Sequence, residues 1–345
     1  MKIAVLFGAK SFEHEISVVS AIALKKVLKS QIVYIFCDMQ RDFYLIDATS
    51  INAKRFSSGA YKKDPKLELK KGGFYQKSLM GSKKIECDFL LNMIHGCDGE
   101  DGKIAAMLEF FDIDFVGPRL EASVLSYNKL LTKLYAKEQG VRVLDYSLLH
   151  KNESFAHIDT FPIIIKPARL GSSIGISIVH NASEIEYALD VAFEFDDMVL
   201  IEPFVQGIKE YNLAGCKIDG AFVFSIIEEP QKEEFLDFDK KYLDFSRTKR
   251  VNEAQVDANT IEALEKNFQK IYANIFEGAL IRCDFFVHEN VVYLNEINPV
   301  PGSMANYLFS DFESVLLQLS KNLPQPQKIL CEYRYINSIQ RAKGK

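Results

Sequence analysis

The sequence predicts an α/β unit built on a doubly wound parallel sheet, followed by a region of α+β character. Two observations carry this. From residue 1 to 117, short apolar runs alternate with stretches of helical spacing, and strand–helix–strand alternation implies a parallel sheet with helices on both faces. After Gly117-Pro118 the rhythm changes to paired strands around polar turns, with helices between them.

Taken in order, KIAVLF (Lys2 to Phe7) reads as the first strand, and Ser17 as the cap of a helix through Val19, Ile22, Ala23 and Val27. QIVYIF (Gln31 to Phe36) and DFLLNM (Asp88 to Met93) are further strands. Between them the Lys-, Gly- and Ser-rich stretch 52–84 reads as a peripheral hairpin or loop. The loop from His95 to Gly102 precedes a helix through Ile104, Met107, Leu108 and Phe111. Residues 121–139 predict one helix ended by Gly140. Ile163 to Lys166 and Ile176 to His180 are strands around a Gly/Ser-rich turn, and Ser183 with Glu186 suggests a capping box. Strands follow at 198–201, 211–217 and 221–227, then a charged stretch, 228–253, without regular period. A helix through Ile261, Leu264, Phe268 and Ile271, a hairpin from Arg282 to Asn298, and a helix through Phe312 to Leu319 complete the chain before a surface tail. This divides the chain into 1–117, 118–202 and 203–345.

Composition narrows the function classes. At 345 residues the chain can bury a large core in two or three domains. A net charge of −5 argues against nucleic acid as a partner, because phosphate binding relies on Lys and Arg. No apolar run approaches ~18 residues, so no membrane span is expected. The N-terminus lacks the apolar core and cleavage site of a signal peptide. Six scattered cysteines form no Cys-x-x-Cys pair, which fits small core residues in a reducing cytoplasm rather than a zinc site.

The segment RCDFFVHENVVYLNEINPVPG carries the most chemistry. Side chains two apart on a strand share a face, so Arg282 pairs with Asp284, and Glu296 with Asn298. A turn at His288, Glu289 and Asn290 would let all four converge. Two carboxylates and an amide oxygen suit Mg²⁺, and an adjacent arginine suits phosphoryl chemistry. The same pattern also reads as a hairpin with a solvated polar face. Lys166 opens IKPARLGSSIGIS, where glycines allow close backbone approach and a lysine could neutralise a triphosphate. It is not a Walker A loop, and an ordinary hairpin turn is the plain alternative. Glu202 and Glu210 stand at strand ends where a carboxylate can accept from ribose hydroxyls, or can simply face solvent. Lys129 lies on a helix, where exposure is the plain reading. Glu13 and Glu15 occupy the first strand–helix turn, a ligand-facing position in a doubly wound sheet; a carboxylate there could hold an ammonium, or merely favour the helix N-terminus. His95 would face the same crevice. Lys241 and Tyr242 lie in the aperiodic stretch, where a lid is one reading and disorder the other.

In order, GAKSFEHEIS, IHGCDGEDG, SYNKLLTK, KPARLGSSIG, IEPFVQGIKE, DKKYLD, RCDFFV and NEINPVPG resemble the D-alanine–D-alanine ligases of the ATP-grasp superfamily, across residues 1–310. The resemblance implies a preATP-grasp N-terminal domain followed by a two-lobed ATP-grasp fold. It also implies ATP-dependent joining of two D-alanines through an acyl phosphate, for peptidoglycan synthesis. A related carboxylate–amine or D-alanine–D-lactate ligase is the alternative, and a catalytically silent nucleotide binder is a third.

By the same resemblance, Lys129 and Lys166 contact ATP phosphates, while Glu202 and Glu210 frame the nucleotide. Asp284, Glu296 and Asn298 bind two Mg²⁺ or Mn²⁺. Arg282 and the amide of Gly302 stabilise the transferring phosphoryl group. Glu13 holds the first ammonium and joins Ser172 and Tyr242, His95 lies near the first substrate, and Lys241 approaches the second. The lid tyrosine Tyr242 favours D-alanine over D-lactate as second substrate. The chain departs from the family pattern in PGSMANYLF, where Tyr307, before Leu308, occupies the place of a serine that receives the second carboxylate. A homodimer in the cytoplasm is also expected.

Overall fold

The structure is a computed structural model, and it describes residues 1–78, 81–154, 158–230, 251–325, 328–333 and 335–343. Among these residues the strands form three sheets. The first is mixed, with strand order β6-β5-β4-β3-β2-β1-β7-β8. Its parallel half is β1 (Lys2–Gly8), β2 (Gln31–Cys37), β7 (Phe89–Asn92) and β8 (Phe115–Val116). β1 is buried on both faces: Ile3, Val5 and Phe7 enter one apolar cluster, Ala4 and Leu6 another. A strand covered on both sides needs a continuous apolar run, as KIAVLF supplies.

The stretch expected to be a peripheral hairpin or loop holds antiparallel hairpins at the sheet edge, together with a short helix. Asn52 caps a short helix, α2 (Ala53–Ser57). β3 (Phe43–Ile46), before this stretch, and β4 (Lys66–Lys70), β5 (Gly73–Ser78) and β6 (Gly81–Lys84) within it extend the sheet antiparallel. Leu67 and Phe74 anchor it in the core with Leu69 packed beside them, and the Leu67–Leu69 alternation is confined to the five residues of β4.

Ser17 does not cap α1 (His14–Leu24), which begins three residues before it. Its buried hydroxyl instead accepts from Gly8 N at 2.8 Å and donates to Met93 O at 2.6 Å. It ties the carboxyl ends of β1 and β7 together, where a doubly wound sheet places its ligands.

The helix expected over 121–139 is two helices, α4 (Leu120–Tyr127) and α5 (Lys129–Glu138). They break at Asn128, whose backbone is extended and whose side chain accepts from Leu130 N at 2.9 Å. An asparagine that satisfies the first amides of a new helix is an N-cap, and the break points Lys129 into the interior. α3 (Lys103–Phe110) precedes them.

The second sheet has order β11-β10-β12-β9, from β9 (Ser147–His150), β10 (Ile163–Pro167), β11 (Ser177–Val179) and β12 (Met198–Pro203). α6 (Ile185–Phe193) covers one face. The expected capping box does not form on α6; a 3₁₀ turn, Ala182–Glu184, leads into it and is capped by Asn181, which accepts from Ser183 N at 3.1 Å, while Glu184 accepts from His180 N at 2.8 Å. The third sheet, β14-β13-β15-β16, comprises β13 (Lys209–Ile218), β14 (Ala221–Phe224), β15 (Ile281–His288) and β16 (Val291–Asn298). α7 (Ala258–Tyr272) and α8 (Phe312–Leu319) pack against it, in an apolar cluster continuous with the first sheet. α9 (Ile336–Lys343) lies in the exposed tail.

Candidate active site

A cavity of about 300 Å³ opens where the three sheets meet. Each wall follows from a local feature of the chain.

The third sheet supplies the floor. β15 and β16 join through Glu289 and Asn290, both left-handed (φ 48° and 60°), as a two-residue type I′ hairpin demands. That turn sets His288 opposite Val291 and Phe285 opposite Leu294. A bulge then leaves Asn295 unmatched, so Asp284 faces Glu296 and Arg282 faces Asn298. Without it, Asp284 would face Asn295, and Glu296 would turn to the opposite side, because a one-residue slip exchanges the faces of a strand. The bulge therefore gathers the four residues. Arg282 grips Asp284 with two bonds, Nε to Oδ1 at 2.6 Å and Nη2 to Oδ2 at 2.8 Å. Asn298 Nδ2 adds a third at 2.9 Å. On the other side of Asp284, Asn212 of β13 is its cross-strand partner. Asn212 Nδ2 donates to Glu228 at 3.1 Å, while its Oδ1 is buried and has no partner among the described residues.

This donor set fits a hard divalent cation. Among the described residues no group of three or more His, Cys, Asp and Glu is placed to hold a metal, so a third oxygen must come from an amide. Asn298 stands beside the two carboxylates, and the orphaned Asn212 oxygen is a further acceptor.

The second sheet and α5 supply the cationic wall. Lys166 and Glu202 lie diagonally across β10 and β12 on one face, with Lys166 Nζ 2.7 Å from Glu202 Oε2. Lys129 is buried rather than solvated; it donates to Leu170 O and lines the cavity. Burial pushes its ammonium pKa down, against the pull of Glu296. Ile164, Phe204, Ile208 and Phe286 give the cavity an apolar slot, and Glu210 lies at its side.

The opposite end belongs to the first sheet. Glu13, 5 % exposed, accepts from Ser172 through Oε1, while Oε2 is buried without a partner among the described residues. Ser172 reaches it because Ser172 and Ser173 are both left-handed (φ 55° and 57°). Gly96 and Gly171 wall the carboxylate closely; an added Cβ would come within 2.6 Å and 3.0 Å of its oxygens. Burial, then the nearby Glu100, raises Glu13 to about 7. Burial likewise raises Glu100 to about 8 and lowers His95 to about 4. His95 Nδ1 lies 3.6 Å from Glu100 Oε1. Their loop is pinned by Asp98, which accepts from Arg41 at 2.9 and 3.0 Å and from Lys10 N at 3.2 Å.

The cavity thus unites Glu13, His95, Lys129, Lys166, Ser172, Glu202, Glu210, Arg282, Asp284, Glu296, Asn298, Gly302 and Tyr307. Tyr307 OH accepts a long bond, 3.5 Å, from Arg282 Nη1. Leu308 is fully buried, and its carbonyl accepts from Ile226 N at 3.2 Å rather than lining the cavity. Lys166 Nζ stands 2.7 Å from Glu202 Oε2, and Lys133 Nζ 2.9 Å from its Oε1. Lys241 and Tyr242 lie outside the described residues. Sequence reasoning missed Glu100, Lys133, Asn212 and Glu228. Two of these were within reach: Lys133 is one helical turn from Lys129, and Asn212 shares a strand face with Glu210.

Three sheets around a cavity with a cationic wall, an oxygen-rich floor and a buried carboxylate match the architecture of an ATP-grasp ligase, the fold of the solved ligases this chain superposes on. Family models for the D-ala D-ala ligase N-terminus and C-terminus match residues 2–118 and 136–314. A curated D-alanine–D-alanine ligase of Wolinella succinogenes is 60% identical over 345 residues, 100% of both chains. A solved D-alanine–D-alanine ligase of Helicobacter pylori superposes with TM-score 0.84 at 50% identity, covering 95% of this chain and 100% of that one. A Bacillus anthracis ligase solved in complex with ATP shares the fold, with TM-score 0.62 at 20% identity, 93% of this chain and 97% of that one. The chain belongs to the D-alanine–D-alanine ligase family.

Proposed function

We propose that this chain uses ATP to join two D-alanines into D-alanyl-D-alanine through an acyl phosphate, as a step in peptidoglycan synthesis. One observation carries the reading. A single cavity holds an unsatisfied buried carboxylate oxygen at one end, on Glu13, and an arginine–carboxylate floor at the other. An amino acid bound by its ammonium at Glu13 would extend its carboxylate toward Arg282.

In this reading 1–117 receives the first D-alanine, and 118–202 with 203–345 enclose the nucleotide. Lys129 and Lys166 neutralise phosphate charge, and the apolar slot takes the adenine beside Glu210. Arg282 and the Gly302 amide bind the transferring phosphoryl group, where fixed donors act without reorganisation. Asp284, Glu296 and Asn298 would hold two Mg²⁺ or Mn²⁺; when bound, these ions neutralise the polyphosphate. Ser172 orients Glu13, with Tyr242 as the third member of that set. His95 stays neutral above about pH 4, so it bears no competing charge beside the ammonium. Lys241 serves the second substrate, and Tyr307 lines the cavity in place of the family's serine. The same reading puts the reaction in the cytoplasm and pairs two copies of the chain; both rest on the family resemblance.

The test is product analysis by mass spectrometry after incubation with ATP, Mg²⁺ and a panel of D-alanine, D-serine and D-lactate. Equal amounts of ADP, phosphate and D-alanyl-D-alanine are expected. D-alanine-independent ADP release, or a predominantly mixed or ester product, would overturn the assignment.

A further inference from the structure

α5 presents two lysines one turn apart, Lys129 and Lys133. Lys129 lines the cavity, whereas Lys133 lies behind its wall, 1 % exposed. Lys133 Nζ sits 2.9 Å from Glu202 Oε1, and the other oxygen of Glu202 is the one held by Lys166. The Lys133 contact is an ion pair rather than a well-directed hydrogen bond. The ring of Tyr146, 5.4 Å from the ammonium, and the Leu144 carbonyl, at 3.5 Å, enclose Lys133 from other sides. A lysine at this depth forfeits its hydration, and such a charge persists only where its partners compensate it. Lys166 and Glu202 alone would make a neutral pair. Adding Lys133 leaves two ammoniums on one carboxylate, and Lys166 brings the excess positive charge to the cavity surface.

We infer that Lys133 is a positioning residue for the nucleotide polyphosphate: it holds Glu202 from behind, and so keeps Lys166 extended at the cavity wall with its charge available. This rests on the ATP-dependent reading above. The balance at Glu202 agrees with it. Burial alone would push that carboxyl up, yet Lys166 and then Lys133 outweigh it and hold it below its ordinary value. If Lys133 loses its charge, Glu202 Oε1 is stranded, and the remaining carboxylate neutralises Lys166. The phosphate end then loses its excess charge, while the Glu13 end is untouched.

The experiment is calorimetric titration of ADP into the full chain, with steady-state kinetics, for Lys133→Met, Lys133→Arg and the double variant Lys133→Met/Glu202→Gln. Lys133→Met should weaken ADP and raise KM for ATP by about tenfold or more, with KM for D-alanine within about twofold, and Lys133→Arg should recover most of the loss. The double variant leaves no stranded carboxylate and nothing to neutralise Lys166, so it tests the idea even if Lys133→Met fails to fold; it should bind ADP within about threefold of the parent. ADP affinity within about twofold of the parent in Lys133→Met, or a loss of about tenfold or more in the double variant, would overturn the inference. So would a KM for D-alanine that rises in step with the ADP dissociation constant, or an arginine variant no better than methionine. A parent protein that binds no ADP would instead overturn the functional reading itself.

Discussion

At the Lys166–Arg282 end of the cavity, buried charges are already paired. Arg282 forks onto Asp284, Asn298 adds to it, and Lys133 and Lys166 divide the oxygens of Glu202. At the Glu13 end, Glu13 and His95 are buried and Glu100 is largely so, and Glu13 Oε2 has no partner among the described residues. The paired end is preorganised, as the proposed polyphosphate site requires. The end at Glu13 is held in a costly state that a cationic ligand relieves. Burial raises carboxyl groups at both ends: Asp284 against the pull of Arg282, and Glu13 and Glu100, which lack such a fork, to about 7 and about 8.

The contrast breaks first at Arg282. Arg282→Met removes the donor fork and strands Asp284, and kcat should fall about 10³-fold. A loss below about tenfold in single-turnover phosphoryl transfer would mean the floor is not preorganised around this residue.

At the other end, Glu13→Gln keeps the shape but removes the charge that awaits an ammonium. kcat/KM for D-alanine should drop about 100-fold while ADP affinity measured by titration stays put. Parallel losses in both ligands would erase the distinction between the two ends.

A pH dependence sharpens it further. Glu13 and Glu100 ionise near 4.5 when unfolded but near 7 and 8 when folded. Between those values the folded chain binds more protons than the unfolded one, so its stability falls as pH rises. An ammonium at Glu13 cancels the Glu13 part of that loss. D-alanine should therefore raise the melting temperature more at about pH 8 than at about pH 6, and Glu13→Gln should flatten the difference. Equal shifts at both values would contradict a carboxylate that ionises on binding.

The smallest effect is expected at the seam. Phe12, in the loop after β1, meets Phe195, after α6, edge to face at 5.3 Å. Phe12→Ala should cost about 1 kcal/mol or less in stability, read by chemical denaturation, with ADP affinity unchanged.

Local patterns were the readable part of this site. Residues two apart on a strand must share a face, so spacing alone pairs Arg282 with Asp284 and Glu296 with Asn298. Other signals were present and misassigned. Asn128 looks like an interior helix residue, yet its backbone is extended, and Ser17 resembles a cap while its hydroxyl in fact bridges two strands. The bulge at Asn295 has no marker such as glycine, yet it decides whether Glu296 faces Asp284.

By itself the sequence determined which chemical groups exist, their local periodicity and their order along the chain, because those depend on bonds and neighbours a few residues apart. That order was enough to indicate the family. Only the tertiary structure decided which groups meet: Ser172 with Glu13, 159 residues apart, and Lys133 with Glu202 through packing of a helix on a sheet. It also decided their charge states, since desolvation depends on everything that surrounds a group rather than on its neighbours in the chain.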